Sequence, residues 1–547
     1  MALLAESQTR TLLVLYVLAL FFTGIAYLAI LPLFEGFDEN AHYSSVRQIA
    51  DTRTLPLYGT SFLDEEVTNY QGPVPFSSLD PPFDASLVYS KFFAHPEFVR
   101  QYVVTYRQSA PPISYLPSQE LNWQAQHPPL YYMLLAPLEK SLEQFPLVTR
   151  MLLLRLVSFL LALAGVTLGF LSISRPNIPL RQNPAILGFL LYPLILPMFF
   201  PEFTRVGNDA LCLFLVGLTA LLFSKQQRRE QSAGLPLAIG VTLGIGLLTK
   251  AFFLPITAAV SLVFLLQIFR GTPHEPTCRW RNLFLVVLPA IVIGGGWYVY
   301  KFAVFGDLTG SDDSIRLAQQ GGLLLNLTKH FSPYGFIRGL VVTFVSYSWA
   351  GTWSLTRLPP FLHVPLLGLT VWVFAAFGLK LKRTPITDAA WLPVWLFCAF
   401  GVGLSYHVLL SVAINGNGNT PGWYLHILMP WVAPAIGLGV CSLLENPRAK
   451  RVLTGLVVYA ACFQIVAFWA QFALFTGCAT KGPDKYYAFA GKAFCIDETS
   501  LLIGRLAVIG WPHLAATGLA GSVICTIAIV RTWNNAGRIS ETSVEGP

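Results

Sequence analysis

Residues 35 to 43 read Glu-Gly-Phe-Asp-Glu-Asn-Ala-His-Tyr, so two adjacent carboxylates, Asp38 and Glu39, stand just ahead of an imidazole, His42. If a helix starts near Asp38, residues 38 and 42 lie one turn apart on one face, and Glu39 shares the next face with Tyr43. That spacing suits a general base beside an orienting or metal-binding partner. It equally suits a plain N-cap, in which the Asp38 carboxylate accepts from the first helical N–H groups and stabilises by about 1 kcal/mol. The two readings are compatible, because the helix dipole keeps a capping carboxylate ionised, as a base must be.

Further along, Gln126-His127-Pro128-Pro129-Leu130-Tyr131-Tyr132 sets a histidine before two prolines that stiffen the entry to an apolar helix. His127 there is either a structural hydrogen-bonder or a ligand. Pro201 to Asp209 forms a turn carrying Glu202, Arg205, Asn208 and Asp209, which reads as an interfacial snorkelling turn or as a binding site. Lys250 and Arg357 are isolated cations next to apolar runs, where ionisable groups are costly and therefore functional candidates. The Gly/Asn-rich loop from Asn415 runs into Trp423-Tyr424-Leu425-His426, a helix start whose N–H groups can meet a phosphate, although any tight turn has this composition. Cys478 and Cys495 share a polar stretch and would close a short loop that a disulfide stabilises by about 3 kcal/mol, implying an oxidising compartment. Cys212, Cys398, Cys441, Cys462 and Cys525 sit in apolar runs and read as small buried hydrophobes.

What must position these residues is a membrane bundle. Of 547 residues 54% are hydrophobic, 14% aromatic and only 12% charged. Mean hydropathy is +0.57. This excludes an ordinary cytosolic enzyme, a disordered chain and a collagen-like fibre. The net charge of +8 is scattered in small clusters, which excludes nucleic acid as a partner. Apolar runs predict about twelve spans, near 11–33, 148–173, 184–201, 209–224, 235–249, 251–270, 282–303, 361–380, 388–412, 423–444, 452–475 and 503–530. The first is too long for a signal-peptide core and reads as a retained anchor. With a cytoplasmic N-terminus, every inside loop is basic: Arg175 and Arg181; Lys225, Arg228 and Arg229; Arg270, Arg279 and Arg281; Lys380, Lys382 and Arg383; Arg448, Lys450 and Arg451; Arg531 and Arg538. Both termini are then cytoplasmic.

The chain thus divides into a first transmembrane helix (1–33), a long outer loop with surface-lying helices and the candidate site (34–147), helices two to seven (148–303), an outer loop with an interfacial helix over 334–353 (304–360), helices eight to eleven (361–475), an outer loop (476–502), and the last helix with a short polar tail from 539 (503–547). No fixed-period repeat and no nucleotide-binding Gly-x-x-x-x-Gly-Lys run occurs.

In their order, the Asp-Glu-x-x-His element after span one, His-Pro-Pro-Leu-Tyr-Tyr before span two, Arg-x-x-Asn-Asp opening span four, Leu-Thr-Lys between spans five and six, and Gly-x-Tyr-Leu opening a late span resemble the GT-C glycosyltransferases. The likeness is to the superfamily of protein O-mannosyltransferases and aminoarabinose transferases, closest to its bacterial members. It covers residues 1 to about 250, and the remainder only in layout. The resemblance implies an all-α integral membrane fold and an enzyme moving a sugar from a polyprenyl-phosphate-linked donor to a hydroxyl of a glycan, lipid or protein acceptor, at the outer face of a bacterial inner membrane. By matching position Asp38 is the base of an inverting transfer, and Glu39 supports it or contacts the acceptor. His42 and His127 orient the acceptor or bind a divalent metal, with Tyr131 and Asp209 also binding substrate. Arg205 and Lys250 hold the donor phosphate. Relatives carry a basic residue where Trp423 stands, so Arg357 or His426 would complete the clamp. Three well-spaced metal ligands are not evident, so no metal site is assigned and no cofactor is certain. Two other classes fit a polytopic chain: a transporter or flippase of lipid-linked saccharides, and a non-catalytic envelope scaffold.

Overall fold

A computed structural model describes residues 2–75, 87–109, 114–174, 178, 180–228, 233–269, 276–382, 391–481, 487–489 and 493–542. Arg175, Arg229, Arg270 and Arg383 of the basic loops lie outside the described residues, as do 543–547 of the tail; of Arg538 only the backbone is described.

Each of the twelve apolar runs carries helix. Among the described residues, nine helices are long and apolar enough to cross a membrane: Ser7–Ile30, Leu147–Ile173, Asp209–Arg228, Cys278–Phe305, Pro360–Leu381, Leu392–Asn415, Trp423–Leu444, Pro447–Phe475 and Pro512–Ala536. Three are shorter: Pro184–Ile195, Gly234–Leu247 and Phe253–Phe269. The protein is an all-α polytopic integral membrane protein. Two antiparallel strand pairs, Phe62–Asp64 with Pro117–Leu121 and Ala479–Lys481 with Tyr487–Phe489, were not signalled by any period-2 pattern.

Where the structure departs from the expected spans, proline and glycine account for it. The run 184–201 breaks after Ile195, since Leu196 precedes Pro197 and is pushed out of the helical region; a short helix Phe199–Phe203 follows. The run 503–530 is two helices, Thr499–Ile509 and Pro512–Thr542, split at Gly510, and the Trp511 N–H donates to the Ala29 carbonyl at 2.9 Å. The second helix continues to Thr542, so the expected polar tail begins as helix. The helix Pro333–Ser348, 16 residues long, exposes Tyr334, Ile337 and Val341 and is not among the span-length helices. Small residues bring the bundle close. An added Cβ at Gly165 would collide with the Leu213 carbonyl, and one at Gly188 with the Ala433 carbonyl.

At one end of the bundle arginines bond helix carbonyls: Arg181 donates to the Trp533 carbonyl within the helix Pro512–Thr542 at 3.0 Å, and Arg228 to the Ser172 carbonyl at the end of the helix Leu147–Ile173 at 2.9 Å. At the other end the three long connecting segments meet. Gln126 Oε1 accepts from the Asp312 N–H at 2.9 Å, the Trp353 N–H donates to the Glu35 carbonyl at 3.0 Å, and Arg107 donates to the carbonyls of Val508 and Gly510 at 3.0 and 2.9 Å. The residues that could do chemistry lie at this second end.

Candidate active site

From Ala26 to Gln48 every residue is buried except Asp38. Asp38 precedes the helix Glu39–Thr52 with φ 55° and ψ 13°, in the left-handed region, and its side chain makes no capping bond. The side-chain cap is therefore not its role. Instead Oδ1 accepts from the Trp123 indole N–H at 2.8 Å, and Oδ2 takes no bond among the described residues. A left-handed non-glycine residue costs about 1 kcal/mol, and such strain gathers at functional sites.

Glu39, expected to support Asp38, points elsewhere. Its carboxylate is fully buried and pairs bidentately with Arg155, at 2.7 Å from Nε and 2.6 Å from Nη2, while Oε1 also accepts the Val206 N–H at 3.0 Å. Arg155 in turn donates to the carbonyls of Leu31 and Pro32, each at 2.6 Å. This clamp fixes the exit of the first span, the start of the 39–52 helix and the turn at 205–208 relative to one another. Glu39 is a positioning residue.

His42 Nδ1 is 2.9 Å from the Tyr132 hydroxyl, and the His42 and His127 rings lie nearly parallel, 12° apart, with centroids at 6.4 Å. Burial holds both imidazoles well below their ordinary pKa, reinforced for His42 by Arg205 and for His127 by Lys250, so both are neutral. The His127 ring makes no hydrogen bond among the described residues and remains half-buried. Tyr131, expected at the substrate, is fully buried; its hydroxyl meets Ser158 Oγ at 2.6 Å and accepts the Gly207 N–H at 2.9 Å. It holds the 205–208 turn.

The expected phosphate cations are already matched. Arg205 Nη2 lies 2.6 Å from Glu202 and 3.1 Å from Asp209, and Nη1 donates to the Phe37 carbonyl at 2.9 Å. Lys250 Nζ meets Asp209 at 3.0 and 2.9 Å and sits over the rings of Phe252 and Tyr424. Two carboxylates thus neutralise two cations, and Asp209 serves those cations where a substrate contact was expected. His426 is also spent: Nδ1 is 3.0 Å from the Tyr192 hydroxyl, Nε2 is 3.0 Å from the Tyr347 carbonyl, and the ring is fully buried. It has no atom left for a phosphate. Arg357 differs, being exposed with no side-chain bond among the described residues.

Arg357 belongs to a loop fastened over the site by Glu35, a residue that sequence reading quoted but gave no role. Glu35 is fully buried and accepts from Thr352 Oγ1 at 2.5 Å, the Ser354 N–H at 2.8 Å, Ser354 Oγ at 3.0 Å and the Tyr89 hydroxyl. Burial raises its pKa against these donors. The loop sets Trp353 edge-on to Trp123, with centroids 6.2 Å apart. Trp423, standing where a basic residue was expected, stacks on Phe37 at 4.0 Å. Asp38 is therefore bordered by aromatic rings. Arg155 was missed as well, although an arginine inside the apolar run 148–173 is itself a signal. Beneath the 39–52 helix, Arg47 and Arg150 knit Asp64, Glu66 and Glu139 into a second ionic knot, in which burial pushes Asp64 up to about 6.

Among the described residues no group of three or more His, Cys, Asp or Glu side chains is placed to hold a metal ion. Cys478 and Cys495 are disulfide-bonded.

No family model matches the chain, and no curated protein matches it. Among solved structures it is similar to ArnT from Cupriavidus metallidurans bound to undecaprenyl phosphate, at 13% identity and a TM-score of 0.46, over 95% of this chain and 76% of that one. It is also similar to ArnT from the same organism in the apo state, at 14% identity and a TM-score of 0.38, over 76% of this chain and 67% of that one.

Proposed function

We propose that the protein is a membrane glycosyltransferase that moves a sugar from a polyprenyl-phosphate-linked donor to an acceptor hydroxyl, with Asp38 as the base. The reading rests on the site and on the motif order. The observation that carries it is Asp38 itself: one partly exposed carboxylate in a buried stretch of 23 residues, held in a strained backbone conformation, with one oxygen bonded and the other open. A carboxylate kept for stability would cap the helix behind it, and this one does not.

In the proposed reaction Asp38 Oδ2 takes the proton of the acceptor hydroxyl as that oxygen attacks the anomeric carbon. The bond from that carbon to the phosphate oxygen breaks with inversion, leaving the glycoside and a polyprenyl phosphate. Neutral His42 and His127 orient the acceptor. A transporter would require charges along a pathway across the bilayer. Here the buried ionic side chains, from Glu35 through Lys301, belong to segments at one end. The basic loops at the other end support reading that side as cytoplasmic and the site end as the outer face, and the family resemblance supports a bacterial inner membrane.

The test is native mass spectrometry of lipids that copurify with Asp38→Asn. The expected result is a folded protein that retains a polyprenyl-phosphate-sugar adduct which wild type turns over to polyprenyl phosphate. Turnover at the wild-type rate in Asp38→Asn would sink the proposal.

A further inference from the structure

Among the described residues six Arg and Lys side chains are buried, and five of them have a carboxylate within 4.0 Å: Arg47, Arg150, Arg155, Arg205 and Lys250. The sixth, Lys301, is fully buried, and its ammonium has no hydrogen-bond partner. The ring faces of Trp297 and Phe305 lie near it, at 5.2 and 4.9 Å. Cation–π contacts return a small part of what burying an ammonium costs. The position is not one from which lysine could reach lipid headgroups, since its neighbours Val299 and Phe302 face outward while Lys301 faces into the bundle.

The surroundings place this charge at the candidate active site. Lys301 stands at the site end of the helix Pro276–Phe305, one turn from Tyr298, whose hydroxyl donates to the Leu247 carbonyl at 3.0 Å. Leu248 accepts from the Leu130 N–H, which ties the same corner to the His127-Pro-Pro entry. Beyond Phe305 the chain turns at Gly306 and Gly310, both at positive φ, and Gly310 lies against the lysine stem. The following helix, Asp312–Gln319, is held by the Gln126 side chain next to His127. The His127 ring feels the positive charges of both Lys250 and Lys301.

Resting on the glycosyltransferase reading above, we infer that Lys301 is the anion-binding residue of this site and takes the phosphate of the lipid-linked donor. Arg205 and Lys250 cannot supply a net positive charge there, because Glu202 and Asp209 already match them. Lys301 supplies one, and the two glycines that flank its cover let the 306–310 turn move off the ammonium as the phosphate enters. A neutral, proton-accepting Lys301 would instead need a hydroxyl or water donor beside it, and no such protein group bonds to it.

The experiment uses the full chain in detergent, with Lys301→Met and Lys301→Arg, titrated with a synthetic polyprenyl monophosphate, the matching uncharged polyprenol and inorganic phosphate, and read by ligand-dependent thermal stabilisation. Wild type is expected to respond to the polyprenyl phosphate and not to the polyprenol. Lys301→Met should bind on the order of tenfold to a hundredfold more weakly, the loss of one charge-assisted bond, while Lys301→Arg stays within a few-fold. Without ligand, Lys301→Met should be at least as thermostable as wild type, because it removes an unmatched buried charge; a merely structural lysine would move the other way. Equal polyprenyl phosphate binding by wild type and Lys301→Met, or a less stable unliganded Lys301→Met, would overturn the inference and leave the role of Asp38 standing. If inorganic phosphate stabilises wild type through Lys301 and polyprenyl phosphate does not, the anion site holds and the lipid-linked donor falls. No response of wild type to either anion overturns the anion site.

Discussion

Glu39 separates two accounts of the site, since it stands next to Asp38 in sequence and yet bonds only to Arg155 and a backbone N–H. The pair is bidentate at 2.6 and 2.7 Å, with both partners buried, and it ties the 205–208 turn to the first span. Glu39→Gln keeps the shape and an acceptor for the Val206 N–H but leaves the Arg155 guanidinium unmatched. Breaking a buried pair in this way costs about 3–5 kcal/mol. Arg155→Met leaves the complementary carboxylate unmatched and strips donors from the Leu31 and Pro32 carbonyls, a loss of at least that size. The double variant carries no unmatched charge, so it should be more stable than the sum of the singles by about 2 kcal/mol or more. The assay is a reversible unfolding titration in mixed micelles, followed through tryptophan fluorescence, alongside donor turnover per folded molecule. Glu39→Gln should lose stability, and its remaining folded fraction should keep turnover within about tenfold, whereas a general base contributes about 10² to 10⁴. A fully stable Glu39→Gln with turnover lost would refute the positioning role and return Glu39 to the chemistry.

Reduction of the Cys478 to Cys495 disulfide, whose partners are 17 residues apart, should lower stability by about 3 kcal/mol; an unchanged melting midpoint with two newly titratable thiols would count against it. His42 should make the protein acid-labile. Burial depresses its folded-state pKa, so below about pH 6.5 the unfolded chain binds a proton that the folded chain does not, and stability present above that pH is lost as pH falls. His42→Gln, which can still meet the Tyr132 hydroxyl, should flatten the acid limb of a stability profile by up to one proton, and an unaltered limb would refute the assignment.

Spans were legible in the sequence because lipid demands long apolar runs, and the twelve runs all became helix. Their breaks at Leu196 and Gly510 were less so, since a run of apolar residues does not show where a proline or an extended glycine interrupts it. At the site, Asp38 was legible by residue type and position, and its left-handed backbone was not: the alternative of a side-chain cap needs only an ordinary conformation at the same place. Pairing was the hidden quantity. Arg205, Lys250 and His426 have the right chemistry for a phosphate, but Glu202, Asp209 and the hydroxyl and carbonyl that occupy His426 come from elsewhere in the fold. Glu35, Arg155 and Lys301 carried the opposite signal, ionisable residues beside or inside apolar runs, and the principle that such residues are functional by default singles them out without a motif.

Charge balance around Asp38 bears on the order of events. With Glu202 and Asp209 matching Arg205 and Lys250, the Asp38 carboxylate is an excess negative charge whose hydrogen-bond partner is the neutral Trp123 indole. A donor phosphate brought to that corner alone would meet repulsion from that carboxylate. The same phosphate needs a cation to remain as a leaving group. Lys301 and the exposed Arg357 are two positive charges at this end with no carboxylate partner among the described residues, one fixed in the bundle and one on the loop that Glu35 fastens. On the proposed reading the donor completes the site electrostatically: its phosphate would meet the Lys301 ammonium while Asp38 takes the proton of the acceptor hydroxyl, so that acceptor alone, without lipid-linked donor, should not react.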